Sequence, residues 1–572
     1  MTEFPATQPA VQIVGPDQVV VNPALPVPRV GPHEILLRME ACGICFSDTK
    51  LAHAWTAHPR KSPVVAVVVD PNGASHRAFD PTLSEADLLA EVEAIASYRG
   101  GEAPVVPGHE PVARIVAIGS AVERHAVGER VLVQTDYRHL PTAASNAAFG
   151  YTFDGGLEQY ALVDERVVVS PEGERFLIPV SDGPTASAVA LVEPWACVEA
   201  AYAWGERQVV RADGRLLVVV DSGRRALGLE GPVEAGQPAS ITIVGDPGEL
   251  DLSEVWTGVA NSAALDGLDG LYDDIVYFGS SADTIEQLGG RLEKNGLLNV
   301  VLGGQPVSRP VAVDAGRVHY DLIRFVGTAG DSAADGYSRI PECCELRPGD
   351  KVAIIGAAGP MGLMHAMRTA VAGVPGVSMD AVDVDDARLA HLAQTVAPFA
   401  ERHGVPASFR NSSAEPLAPG YSYVSLMVPA PALLAQAVDL AGPGGIVNAF
   451  AGFAVGTKAP IDFNAVAERG VYLVGTSGSR IQDMKTMLAK VEGGTLDTNV
   501  SLDAVCGIAG VPDAIAAVRE RTSGGKIMVY PALADLPMIR LADLPDKLPE
   551  VAARMDGGRW TKAAEKALLA LA

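Results

Sequence analysis

The feature that most restricts the fold is an internal repeat in the second half of the chain. Tyr272-Asp-Asp-Ile-Val-Tyr-Phe-Gly-Ser, Asn299-Val-Val-Leu-Gly-Gly304 and Val318-His-Tyr-Asp-Leu-Ile-Arg-Phe-Val-Gly-Thr328 form the first copy. Tyr421-Ser-Tyr-Val-Ser-Leu-Met, Gly444-Gly-Ile-Val-Asn-Ala-Phe-Ala-Gly452 and Val466-Ala-Glu-Arg-Gly-Val-Tyr-Leu-Val-Gly-Thr476 follow in the same order. Each copy reads as a strand, a helix, a strand ending in Gly and a strand ending Val-Gly-Thr. Apolar strands alternating with helices build parallel sheets covered on both faces. From about Gly214 the chain is therefore read as α/β, with two doubly wound parallel-sheet units in tandem.

The second unit opens on a phosphate turn. The apolar strand Lys351-Val-Ala-Ile-Ile is followed by Gly356-Ala-Ala-Gly359-Pro360-Met361-Gly362 and a helix through His365 and Arg368. Glycines there allow a tight turn and bring backbone N–H groups close to a pyrophosphate, which the helix N-terminus favours. A second strand ends at Asp383, 21 residues past Gly362. A carboxylate there accepts both ribose hydroxyls and repels a 2′-phosphate, so NAD is expected rather than NADP. Asp385 and Asp386 follow directly and suit a helix N-cap. In the first unit the equivalent stretch is Leu217-Val-Val-Val-Asp221-Ser-Gly223-Arg-Arg-Ala-Leu-Gly228. Asp221 stands in place of the first glycine and opposes a phosphate, so this copy reads as a structural unit that has lost its ligand.

Ahead of the repeat, from Val11 to about Val180, short β-rich runs alternate with Gly and Pro, an all-β pattern. Within it Ala41-Cys42-Gly43-Ile44-Cys45-Phe46-Ser47-Asp48 sets a thiol, a hydroxyl and a carboxylate side by side after an apolar strand. A thiolate ligates zinc, a neighbouring Ser passes a proton, and an Asp fixes the ligands from behind. The same spacing also suits a buried pair of small apolar residues. Gly108-His109-Glu110 and Glu193-Pro194 supply the further donors. Cys, His and Glu with one position open make a catalytic rather than a structural zinc site. Taken singly, His109 also suits a structural histidine and Glu193 a helix N-cap before Pro194.

The pieces ACGICFSD, VVPGHEPVARIVAIGS, VGERVLVQ, GGLEQYALV, ALVEPWACVEAAY, LRPGDKVAIIGAAGPMGL and GGKIMVY resemble, in order, the zinc-dependent medium-chain alcohol and polyol dehydrogenases. The likeness is to their sorbitol and threonine dehydrogenase branch, with a further similarity to L-sorbose 1-phosphate reductase-like enzymes in EPWACVE. The resemblance implies a GroES-like β-rich catalytic domain joined to Rossmann-like units. It implies one catalytic zinc on Cys45, His109 and Glu193, with Ser47 as first proton relay and Asp48 behind the metal. Glu110 stands behind that ion or exchanges with it. Hydride would pass between a secondary alcohol or ketone and NAD. Many relatives bind a structural zinc on a four-Cys lobe, but 131–196 holds no Cys, so no structural zinc is expected. Lys50 stands where many relatives end the relay in His, and Phe46 where some place an Arg. Cys197, four residues past Glu193, is a competing donor. Lys50, Arg60-Lys61 and Arg138-His139 are basic positions suited to a phosphorylated sugar or to plain surface charge.

The expected domains are 1–213 (catalytic, with an insertion at about 57–100), 214–346 (degenerate unit), 347–500 (NAD-binding) and 501–572 (return to the catalytic domain, then a tail). The insertion carries its own strand, Val64 to Val69, and a helix begun by Ser84-Glu85. It stretches the Cys45 to His109 spacing to 64 residues, where the family implies about a third of that. A mixed partition, using the later half of the first copy, stays open. So does the idea that the duplicate imitates a partner subunit within one chain.

A formal net charge of −25 argues against nucleic acid and anionic membranes as partners. Six Cys in 572 residues make no disulfide framework, and the N-terminus lacks a signal-peptide pattern, so a soluble cytoplasmic enzyme is expected. The partner is a small-molecule alcohol or ketone, with homo-oligomerisation left open. Two other classes remain: a zinc-free NAD(P)H reductase of the same fold, and a non-catalytic dinucleotide sensor or scaffold.

Overall fold

The structure, a computed structural model, describes residues 4–68, 79, 80, 82–248, 259–262 and 264–572. The chain divides into two compact units, Met1–Ala196 with Ser479–Ala572 and Cys197–Gly478. These breaks fall at 196/197 and 478/479, where the sequence reading placed them at 213/214 and 500/501.

The first unit is built on an eight-stranded sheet around Glu34–Ile44. Along that strand Ile35, Leu37 and Met39 are buried with Ala113, Ile115, Val131 and Val163. Its far end packs Cys42 and Ile44 with Val106, Ile527 and Val529 in a second cluster. Glu110–Ile118 and Tyr160–Asp164 both pair antiparallel with it. Lys526–Val529, from the far end of the sequence, pairs with Cys42, Gly43 and Ile44. The strand that delivers Cys45 is thus clamped on both sides by strands remote in sequence.

The inserted segment holds the helix Glu85–Glu93, whose start Ser84 caps by accepting from the Asp87 N–H at 3.2 Å. The strand expected over Val64 to Val69 is a correction in its described part. Residues 64–68 run alongside Asp136–Pro141 through two backbone bonds, Val65 N–H to Pro141 O (2.9 Å) and Val68 N–H to His139 O (2.8 Å), without a continuous ladder. Val69 lies outside the described residues. In the tail, helix Lys562–Leu569 carries the buried Glu565, which accepts from the N–H groups of Ala186 (2.7 Å) and Ser187 (3.0 Å). That carboxylate satisfies the otherwise orphaned start of helix Ala186–Ala190, which leads into the helix bearing Glu193.

The second unit contains one twelve-stranded sheet. Its first half runs Val259–Ser262, Ser240–Val244, Arg215–Val220, Tyr272–Phe278, Leu292–Val301, Arg324–Thr328. In chain order this is the 3-2-1-4-5-6 arrangement of a dinucleotide-binding sheet. From its outer edge inward, the other half repeats it: Ala407–Asn411, Ser378–Asp383, Lys351–Ile355, Tyr421–Leu426, Ala441–Ala449, Tyr472–Val474. Even the irregularity recurs, between Tyr272 and Asp274 in one half and Tyr421 and Tyr423 in the other. The halves meet at their sixth strands, antiparallel, with Phe325 opposite Leu473. Beside this seam Val311–Asp314 and Lys458–Ile461 form an antiparallel ribbon. Antiparallel pairing of equivalent strands at both places is the signature of an internal two-fold. One buried cluster runs through both halves, from Leu217 and Ile275 to Val424 and Leu473.

Candidate active site

Cys45 leaves the end of the central strand and precedes helix Phe46–Ala54. The Asp48 carboxylate folds back to accept the Cys45 N–H at 2.8 Å, fixing where the thiol points. Asp48 is fully buried and also accepts from the Gly108 N–H at 3.3 Å. Its Oδ1 lies 3.1 Å from His109 Nδ1. With that nitrogen turned to the carboxylate, Nε2 is the ring atom left to act as a ligand, the usual arrangement behind a metal-binding histidine. Burial alone would push the His109 pKa down, but the phenol oxygen of Tyr151 and the Asp48 carboxylate outweigh it and hold it well above the ordinary value.

Among the described residues, ligand atoms of Cys45, His109 and Glu110 lie within 4.8 Å of one another. One soft sulfur, one imidazole and one carboxylate, largely buried, fit a zinc-sized ion. Glu110 gives a second sign that the donor set fits: its Oε1 pairs with the buried Lys526 ammonium, while Oε2 is buried without a hydrogen-bond partner. A Cβ at Gly43 would meet that oxygen at 2.1 Å, so glycine lets the carboxylate lie directly against the strand.

Glu193 stands in the first turn of Val192–Ala203 and falls outside the close group of three. It is still near enough that, after burial, Glu110 is the main cause raising its pKa, to about 7, against His109, Lys526 and Arg60. The structure thus gathers Cys45, His109, Glu110 and Asp48, and does not bring Glu193 into the close group. Ser47 lies beside the sulfur, its Oγ accepting from Cys45 Sγ at 3.6 Å.

In the second unit, Gly356 directly follows strand Lys351–Ile355 with φ +80°, and a Cβ there would meet Val428 Cγ2 at 2.4 Å. Gly359 is the N-cap of helix Pro360–Val371, with Pro360 and Met361 in its first turn. A Cβ on Gly362 would meet the carbonyl oxygens of Ala357 and Gly356 at 2.5 Å, so helix and turn pack as closely as glycine permits. Asp383 ends strand Ser378–Asp383 beside this turn, its Oδ2 accepting from the Ala358 N–H at 3.1 Å.

The sequence profile of the alcohol dehydrogenase GroES-like domain matches residues 83–172, from just ahead of the helix in the inserted segment to past the strand Tyr160–Asp164. L-sorbose 1-phosphate reductase of Klebsiella pneumoniae is 29% identical over 240 residues, covering 39% of this chain and 56% of that protein. Mannitol-1-phosphate 5-dehydrogenase of Aliivibrio fischeri is 24% identical over 272 residues, covering 41% and 62%. The matched stretches thus span less than two thirds of these relatives. The fold of 2R,3R-butanediol dehydrogenase from Bacillus subtilis covers 92% of this chain and 100% of that one, with a TM-score of 0.50 at 16% identity. The chain thus holds an alcohol dehydrogenase GroES-like domain and shares the fold of 2R,3R-butanediol dehydrogenase.

Three residues near these sites were not singled out from the sequence. Tyr151 is buried with its ring 5.2 Å from that of His109, and its only signal is its place just before the GGLEQYALV motif. Lys526 meets Glu110 from 416 residues away, which no local pattern reveals. Arg388 holds the Ala358 carbonyl at 2.9 Å and so brings a cation to the phosphate turn. In the first half of the sheet the corresponding crevice is filled: Tyr277 donates to Asp221 at 2.6 Å, and the Ser281 N–H donates to Tyr277 Oη at 3.1 Å. The next helix there, Glu230–Gly236, begins ten residues after strand Arg215–Val220, whereas Pro360–Val371 begins five residues after its strand.

Proposed function

We propose that the protein is a zinc-dependent oxidoreductase exchanging hydride between NAD and a secondary alcohol or ketone of a polyol, sugar alcohol or sugar phosphate. The convergence of Cys45, His109 and Glu110 within 4.8 Å, with Asp48 on the far nitrogen of the histidine, carries this reading. When bound, zinc supplies the Lewis acidity that lowers the pKa of a substrate hydroxyl, and NAD accepts the hydride.

The rest falls to the chain itself. Cys45, His109 and Glu193 are the proposed ligands, the raised pKa of Glu193 being one that a dication would relieve, and Glu110, held by Lys526 on Oε1 with Oε2 left over, stands behind the ion or exchanges with Glu193. Asp48 keeps His109 in its ligating tautomer. The Ser47 hydroxyl, beside the sulfur, would take up the proton leaving the substrate oxygen and give its own to solvent. On the second unit, the turn Gly356 to Gly362 cradles the pyrophosphate, and Asp383 receives the adenosine ribose, favouring NAD over NADP. The names of the two phosphorylated-polyol enzymes among the relatives support the substrate class.

The test is metal analysis combined with NADH absorbance over a panel of polyols and their phosphates. About one zinc per chain and NAD-linked turnover, both lost in Cys45→Ser, are expected. A metal-free chain that turns over as well as the wild type would overturn the zinc assignment.

A further inference from the structure

Tyr151 is fixed where elements of the proposed metal site meet. It lies in a tight turn in which the Ala148 carbonyl accepts from the N–H groups of Tyr151 (3.2 Å), Thr152 (3.1 Å) and Phe153 (3.2 Å), with Gly150 at φ +80°. The Thr152 hydroxyl donates to the Arg60 carbonyl and so ties this turn to the inserted segment. The Tyr151 side chain is 2% exposed and belongs to one buried cluster with Leu51, Ala52 and Trp55. Leu51 and Ala52 stand on helix Phe46–Ala54, which Cys45 directly precedes. The ring centre lies 5.2 Å from that of His109, 5.1 Å from that of His58 and 5.7 Å from the Arg60 guanidinium carbon. The tyrosine thus packs with the helix that follows Cys45 and with the imidazole of His109, two of the three close donors.

Its hydroxyl is different. Among the described residues it takes no hydrogen bond. A buried phenol normally finds a partner, because an unpaired O–H in an apolar setting costs free energy, and a native exception calls for a reason. Packing does not give that reason. Every contact named above is made by the ring or the backbone, and Phe would keep them all. A ligand oxygen is the partner that chemistry at this place provides, since the metal group beside the ring is suited to hold a substrate oxygen. Ser47 stands beside Cys45, its Oγ 3.6 Å from the sulfur, whereas Tyr151 stands beside His109. Two hydroxyl groups flank the same centre by different donors, so a substrate that brings two adjacent oxygens can meet both.

We propose that the Tyr151 hydroxyl hydrogen-bonds the substrate hydroxyl on the carbon next to the one that exchanges hydride, so that this residue selects vicinal diols. This rests on the dehydrogenase reading above. A phenol keeps its proton up to about pH 10 and can therefore donate to that oxygen across the neutral range. The turn and the packed rings hold the donor in place before substrate arrives.

The experiment compares kcat/KM, per bound zinc in the full chain, for two substrates of one carbon skeleton, butane-2,3-diol and butan-2-ol. Wild type should favour the diol by roughly tenfold or more, and Tyr151→Phe, which keeps the ring, should shrink that preference about three- to tenfold, the worth of one neutral hydrogen bond. Equal losses on both alcohols in Tyr151→Phe, an undiminished preference, or a wild type indifferent to the second hydroxyl overturns the proposal. Should neither alcohol turn over, the dehydrogenase reading fails separately. Binding of the two compounds, followed by ligand NMR, then decides: a diol preference that Tyr151→Phe reduces supports the site, while equal binding of the diol by both chains, or none to wild type, sinks it.

Discussion

At the scale of single residues, buried polar groups set both the chemistry and its cost. His365 is fully buried in the second unit, with Nδ1 2.8 Å from the Tyr202 hydroxyl and Nε2 without a partner. Burial, and then the Arg368 charge, lower its pKa from 6.5 to about 3. The unfolded chain therefore binds a proton that the folded one refuses between those values. Its contribution is present above about pH 6.5 and is lost as pH falls toward 3. Urea unfolding measured between roughly pH 6 and 4 should show a slope about 1.4 kcal/mol per pH unit shallower in His365→Asn than in wild type. An unchanged slope would show that the imidazole is protonated in the native state. Cys45, His109 and Glu110, which the structure brings together, were legible because each sits in a motif with its own turn or strand end. What holds Glu110 was not, because the Glu110–Lys526 pair joins residues 416 apart.

Among the elements, the phosphate turn is the most demanding. Both Gly356 and Gly362 lie where an added carbon meets neighbouring atoms at 2.4 to 2.5 Å, and at Gly362 those atoms are backbone. Gly362→Val should therefore push the helix away from the turn and abolish NAD binding, measured by nicotinamide fluorescence, while the metal content of the other unit stays at the wild-type level. Retained NAD affinity would mean that the dinucleotide sits elsewhere. The alternation of strand and helix, and the loss of glycine at Asp221, were readable because glycine and aspartate act locally. The stretch from Val64 was read as a strand from its β-branched residues, but it gains only two backbone bonds alongside Asp136–Pro141 and stays irregular. Propensity alone does not supply a ladder partner.

For the whole molecule, the repeat produces one twelve-stranded sheet rather than two separate ones. The sixth strands, which would otherwise be open edges, bury each other, and the reciprocal bonds of Asn464 with the Val307 N–H (2.8 Å) and carbonyl (3.0 Å) tie the halves together. The sequence displays the two copies but not the seam, because edge pairing depends on which strands are left uncovered once each half has folded. Since Asp221, Tyr277 and Ser281 fill the first crevice, calorimetry should find one NAD bound per chain, and a stoichiometry of two would contradict that view. The central claim, a zinc ion on a Cys and His donor set, is tested most directly by X-ray absorption at the zinc edge of the purified chain. The spectrum should show one sulfur at about 2.3 Å with nitrogen and oxygen at about 2.0 to 2.2 Å, the sulfur vanishing in Cys45→Ser. Zinc coordinated by oxygen and nitrogen alone in the wild type, or no bound zinc, would contradict it.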